Sequence, residues 1–331
     1  MVAAFVPSLA FVTACMIAFR ALLPVDFLDS VETALSPLDE NGLIILLVAT
    51  MMGFTLTSLN TYVYKLFEGY VLPQYLKPLR RVEVRRARQI RSQRDILHKK
   101  INRLERWQMG WSLAGMPDLP EEKLNRIETR ITRLTNQRDA LAAEYELRYP
   151  PTEALIMPTR LGNILKAAEA YPQSRYHADS VALFPRMAAA IDREYMGHID
   201  TANDQCSFLL NSCLLSGIFA GLSFVASFYI WLFPSPDHSS LAYLAIGFAT
   251  LAIAWFFYNA SLMNVSKYGN LIRSSYDLFR FNLLEKLHLP LPTNSEEEKM
   301  LWGDVTNFVT IGELYGEIPF DYPTHAGKGD E

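Results

Sequence analysis

Four stretches of this chain carry no formal charge over roughly the length of a bilayer crossing, and they constrain everything else. Val2 to Phe19, Gly42 to Tyr64, Phe208 to Phe233 and Leu241 to Met263 contain no Asp, Glu, Lys or Arg. A hydrocarbon core of about 30 Å takes roughly 20 such residues as a helix. Lipid accepts only segments whose backbone groups satisfy one another. The pattern predicts an all-α integral membrane protein with four transmembrane helices. The first stretch is also short enough for a cleaved signal peptide. It has no basic region before it and no A-x-A site after it, so it reads as a retained span. The bulk composition, 50% hydrophobic with a net charge of -4, suits a soluble protein equally well. The partition of charge along the chain excludes that class.

The same partition sets an orientation. Of the 31 Lys and Arg, 24 lie between Lys65 and Arg193 and six follow Met263, while Arg20 borders the first connection. Pro24 to Asn41 holds Asp26, Asp29, Glu32, Asp39 and Glu40 and no base. The positive-inside rule places both termini and the large insert in the cytoplasm of a multi-pass protein. Cys15, Cys206 and Cys213 form no CxxC and read as reduced thiols. Six scattered histidines show no metal-ligand spacing, and no cofactor motif is present.

Within the insert, residues 75–149 read as two long charged helices folded back on each other. Ala87, Ile90, Leu97, Ile101 and Leu104 fall on one apolar seam, and Leu124, Ile127, Ile131, Leu134 and Leu141 on another. Helix breakers crowd Met109 to Pro120 between them. Reflection about residue 116 pairs Leu104 with Ile127, Ile101 with Ile131, Leu97 with Leu134 and Ile90 with Leu141. An antiparallel coiled-coil hairpin is expected. Pro172 is expected to stop a short helix that follows Pro158. Another helix is expected to start near Asp179, with Pro185 in its first turn, and to run unbroken into the third span. The fourth span is expected to continue to the Leu289-Pro-Leu-Pro292 stop. The domain reading is 1–64 for spans one and two, 65–206 for a cytoplasmic helical domain, 207–263 for spans three and four, and 264–331 for a cytoplasmic tail. In that tail, Ser295 with Glu298 is expected to cap a last helix.

Two segments resemble a known pattern. Pro158-Thr-Arg-Leu-Gly-Asn163, with Glu169, Arg175-Tyr176 and Pro185-Arg186, is similar to a segment of bacterial integral membrane proteins of unassigned activity. So is Asp277-Leu-Phe-Arg-Phe-Asn-Leu-Leu284, followed by Leu287-His-Leu-Pro290 and Trp302. Those proteins carry Gly where this chain has His177. The resemblance covers about a third of the chain. It implies a bacterial membrane location and no chemistry, and with the cytoplasmic orientation above the location expected is the inner membrane.

Several groups of residues have both a structural and a functional reading. Lys77 to Arg106 carries twelve bases against Glu83, Asp95 and Glu105. That surplus suits a solvated face or anionic lipid headgroups. Nucleic acid is disfavoured, because aromatics do not interleave with the bases. The reflection also places Arg94 opposite Arg138, which either snorkel outward beside Asp95 and Asp139 or share an anion, with Glu296, Glu297 and Glu298 as internal candidates. The tip residues Trp107, Met109, Trp111 and Leu113 either close the hairpin or dock a partner. Thr159 to Asn163 reads as a capped helix start with Gly162 for close packing, or, with Arg160, as an anion site at that start. Arg160 and Glu169 could equally form a buried group with Asp277 and Arg280. Gly217-x-x-x-Gly221 suits close helix packing within one subunit or a homo-oligomer seam.

No P-loop, GxSxG, HExxH or GxGxxG occurs. The expectation is a non-enzymatic scaffold or sensor that presents its hairpin to a cytoplasmic protein partner. An oligomeric channel gated by the cytoplasmic helices is the alternative, with Thr57, Asn60, Asn211, Asn259 and Asn264 as its polar lining.

Overall fold

The computed structural model describes residues 2–19, 41–71, 75–113, 121–234 and 239–312, and these are mostly helical with no strand among them. The helices are α1 (Val2–Phe19), α2 (Asn41–Ser58), α3 (Asn60–Glu68), α4 (Lys77–Leu113) and α5 (Glu121–Arg148). They continue as α6 (Arg160–Tyr176), α7 (Ser180–Ala190), α8 (Arg193–Leu232), α9 (Ser240–Lys286) and α10 (Ser295–Ile311). The acidic connection Pro24 to Asn41 lies almost wholly outside the described residues, and so do 114–120, where the hairpin turn is expected.

Three helices, α1, α8 and α9, are long and apolar enough to cross a membrane. A fourth crossing results if α2 and α3 are taken together. That pair, which covers the expected second span from Gly42 to Tyr64, bends by 63° at Leu59. Tyr62 N–H reaches Leu59 O there, a three-residue step that marks the break. Neither Gly nor Pro sits at the bend.

The chain divides into two units, 1–71 with 193–268 and 72–192 with 269–331. In the first unit α1 packs on α2 and α8, and α3 packs on α8. Ala4, Leu56 and Leu215 form one apolar cluster, flanked by Phe11, Met52 and Leu214. Close approach is set by glycines other than the expected pair. A Cβ added to Gly53 would stand 3.0 Å from the Phe5 Cα, and one at Gly247 would stand 2.5 Å from the Phe224 ring. At Gly217 and Gly221 an added Cβ meets nothing within 4 Å. Within the described chain, therefore, no helix packs tightly on that pair.

In the second unit α4 packs on α5, α5 on α6, and α6 on α7, while α10 covers both α6 and α7. Three sequence expectations change here. Pro172 lies inside α6 and does not end it. The helix runs four residues further, which buries Tyr176. It stops at His177, whose φ of 63° is left-handed. The helix expected to run unbroken into the third span is two helices. Asp179 caps α7 as expected, but Pro185 falls in its middle and Ile191 turns extended before α8 begins. The cap of α10 is Asn294, which accepts from the Glu296 and Glu297 amides, one residue ahead of the expected Ser295. Gly269 lets α9 approach α6, since its added Cβ would lie 3.1 Å from the Ala168 Cβ.

Candidate functional site

The second unit concentrates its charged chemistry in two places, the base of the α4–α5 pair and the junction of α6, α9 and α10. At the base, three arginines of α4, Arg80, Arg88 and Arg91, grip the segment that leaves α5. Arg80 donates from Nε to Ile156 O at 2.8 Å and from Nη2 to the Glu153 and Ala154 carbonyls. Arg88 makes a two-pronged pair with Glu153 at 2.9 and 2.7 Å. That hydrogen bonding holds the Glu153 carboxyl below its ordinary range. Arg91 donates to Pro151 O at 2.6 Å, and its guanidinium lies 4.5 Å over the Tyr145 ring.

Behind this grip, Ala87, Tyr145, Tyr149 and Ile156 form an apolar cluster. The buried Glu83 carboxylate accepts from Tyr149 Oη at 3.0 Å and pairs with Arg86. Burial, reinforced by Glu83, pushes the Tyr149 hydroxyl pKa upward. Part of the basic surplus on α4 is therefore spent on holding its own base. Arg81, Arg85, Lys99, Lys100 and Arg103 remain exposed.

Away from the base, the less exposed positions of α4 include Ile90, Arg94, Leu97, Ile101 and Leu104, and those of α5 include Leu124, Ile127, Ile131, Leu134, Arg138 and Leu141. Arg94 pairs with Asp95 at 2.9 Å and Arg138 with Asp139 at 2.8 Å. Toward the far end Trp107 is 46% and Met109 62% exposed. Trp111 and Leu113 continue the same helix, and their side chains lie outside the described residues.

At the second place, Asp277 on α9 accepts from Tyr176 Oη at 2.6 Å and from Tyr171 Oη at 3.1 Å. Burial and this carboxylate push Tyr176 up to about 12 and raise Tyr171 as well. Arg280 sits one turn further along α9. It pairs with Glu298 of α10 at 2.6 Å and stacks 4.5 Å over the Tyr176 ring. Arg280 also donates to the Asp277 carbonyl.

Asp277 and Arg280 thus come together, but their side-chain partners are not the expected ones. Glu169 pairs with Lys166 at 2.9 Å, and Arg160 is exposed at the start of α6. Of the acids expected to serve Arg94 and Arg138, Glu298 is taken by Arg280 and Glu297 by Thr293. Asn163 folds its amide back onto Met157 N, Met157 O and Thr159 O, while Thr159 Oγ1 accepts from Gly162 N. The Pro158–Asn163 segment is in this way a self-bonded helix start. Trp302 of α10 is fully buried, and Asp179 N–H reaches Thr306 Oγ1.

Chemically, this arrangement joins helices. The Asp277 carboxylate is held by tyrosine hydroxyls and the Glu298 carboxylate by an arginine. Among the described residues no group of three His, Cys, Asp or Glu is placed to hold a metal ion. The tyrosine partners of Asp277 went unnoticed in the sequence. Their only signal was the pair of tyrosines, Tyr171 and Tyr176, inside the resembling segment. No protein-family model, curated protein or solved structure matches this chain.

Proposed function

We propose that the chain is a non-enzymatic scaffold of the bacterial inner membrane that presents α4 and α5, as an antiparallel coiled-coil hairpin, to a cytoplasmic protein partner. Four spans, with α2 and α3 counted as one bent crossing, leave both termini and residues 72–192 in the cytoplasm. The observation that carries the reading is the contrast along α4. Its base is held by Arg80, Arg88, Arg91 and Glu83. Its far end exposes Trp107 and Met109 among basic residues. A rigid base with an exposed aromatic end suits recognition, because aromatic anchors dominate binding energy. The surplus of bases favours a partner with an acidic surface, with anionic headgroups as a second contact.

Site-specific photo-crosslinking in living cells tests this. A probe at position 107 or 109 is expected to give one discrete adduct that a probe at Arg133 does not give. Adducts of the same pattern at all three positions, or at none, refute it. Topology is tested separately, in a chain stripped of its three cysteines. New cysteines at 30 and 237 are expected to label from outside, and cysteines at 99 and 186 only from inside.

A second reading, an oligomeric channel gated by the cytoplasmic helices, draws on the open faces of Gly217 and Gly221. Against it, Thr57, Asn259 and Asn264 bond back to their own helices. Mass measured in nanodiscs decides, because a monomer removes the channel.

A further inference from the structure

Two poorly exposed side-chain oxygens of the apolar unit, Asn60 Oδ1 and Asn211 Oδ1, have no hydrogen-bond donor. Asn211 is only 1% exposed. An amide oxygen without a donor is costly in such surroundings, where no bulk water is at hand.

Contacts on either side of the break bring these two residues to the same level along α8. Tyr64 Oη donates to Asn203 Oδ1 at 3.0 Å and lies 3.3 Å from Ser207 Oγ. In the other direction along the chain, Leu56 shares an apolar cluster with Leu215. Leu56 lies on α2, before the break, so the stretch 56–64 as a whole runs antiparallel to 207–215 of α8. Asn60, one turn before Tyr64, therefore falls level with Asn211, one turn after Ser207. Asn211 has its orientation set by Nδ2, which donates to Ala3 O at 3.4 Å. Turning that amide over would set two oxygens against each other. The 63° break at Leu59 adjoins the pair.

Two donorless oxygens at one level call for an occupant that offers positive charge to both. We propose that Asn60 Oδ1 and Asn211 Oδ1, with the Tyr64 and Ser207 hydroxyl oxygens, bind a dehydrated monovalent cation of the sodium class. Hard oxygen ligands suit such an ion, and broken membrane helices are where it is commonly held. Neutral amides and hydroxyls match a single charge, whereas a divalent ion calls for carboxylates. The competing occupants are one water donating to both oxygens, or Asn60 turned over to bond Asn211 directly. The site lies wholly within the apolar unit, so it stands or falls independently of any partner of the hairpin.

Thermal unfolding of the full chain in detergent, in sodium, potassium and choline chloride at equal ionic strength, tests it. Sodium is expected to raise the midpoint saturably by several degrees over choline, and potassium by less. Asn60→Leu and Asn211→Leu are each expected to abolish that increment. Asn211→Asp adds a negative charge facing the ion and is expected to lower the half-saturating sodium concentration about tenfold or more. Equal melting in the three salts means water or a direct amide bond fills the gap, and overturns the proposal. So does a sodium increment that survives both leucine variants. If neither leucine variant folds, an unshifted half-saturation in Asn211→Asp overturns it as well.

Discussion

Arg273 donates from Nη2 to the carbonyl of Glu146 at 2.7 Å, so that a side chain of α9 caps the last turn of α5. The carbonyls at a helix C-terminus lack intrahelical donors and carry partial negative charge. Arg273 is 9% exposed, its Nε has no hydrogen-bond partner among the described residues, and its burial pulls its pKa below the usual arginine range. It lies 5.7 Å over the Tyr171 ring, with Arg175 at the same distance from that ring. Arg273→Met, which keeps most of the apolar bulk, is expected to destabilise the protein by about 1–3 kcal/mol. Amide exchange in 144–149 is expected to rise before exchange elsewhere, and mass spectrometry after deuterium labelling reads both effects.

The paired helices give a register test. Ile101 is 2% exposed, whereas Ile96, on the same helix, is largely open. Ile101→Asp buries an unpaired charge and is expected to cost about 3–5 kcal/mol. Ile96→Asp is expected to stay within about 0.5 kcal/mol. Chemical unfolding of the full chain in detergent, followed by far-ultraviolet circular dichroism, separates them.

His177 ends α6 with φ 63° and ψ 19°, a left-handed conformation. A residue with a Cβ is strained there by about 1–2 kcal/mol, and glycine is not. His177→Gly loses part of that gain to the freer unfolded chain and is expected to stabilise by about 0.5–1 kcal/mol. His177→Val, branched at Cβ, is expected to destabilise. The two melting shifts should have opposite signs.

The tyrosines on Asp277 set an alkaline limit. Tyr176 titrates near 12 in the folded protein, above its unfolded value near 10. The folded state therefore holds this proton more tightly. The stabilisation is complete below pH 10 and is lost as pH rises from about 10 to about 12. Tyr176→Phe is expected to be less stable at pH 8 and to show a shallower decline across that window. Melting temperature against pH, read for both proteins, checks it.

Close packing in the apolar unit is expected to depend on Gly53 rather than on the GxxxG pair. Gly53→Ala places a methyl 3.0 Å from the backbone of Phe5, with an expected cost of about 1–3 kcal/mol. Gly217→Ala and Gly221→Ala are expected to leave the monomer unchanged or slightly firmer. Melting in detergent distinguishes the two sites.

What the chain disclosed in advance follows from where each determinant lies. The apolar helices were legible because lipid demands long chargeless runs, and α1, α8 and α9 are such runs. The ends of α6 and α7 were not, because tertiary contacts decided them. Pro172 read as a stop, yet α6 continues through it and carries Tyr176 to Asp277. Ile191 carries no breaking signal, and it is nevertheless extended and buried. The Thr159 cap was readable from local spacing alone. Asp277 with Tyr171 and Tyr176, or Arg280 with Glu298, joins residues far apart in sequence, which no local pattern reports. The GxxxG motif drew attention through its spacing, while isolated Gly53 and Gly247 make the tight approaches.

The grip of Arg80, Arg88 and Arg91 on residues 151–156 also has a mechanical meaning. Beyond Arg91, α4 runs 22 more residues without a break, about 33 Å at 1.5 Å per residue. A stiff rod clamped at one end is a lever. A swing of only 5° about the clamp would carry the far end sideways by about 3 Å, enough to make or break a van der Waals contact there. Small adjustments among three arginines are thereby magnified at Trp107 and beyond, with no need for the helix itself to bend.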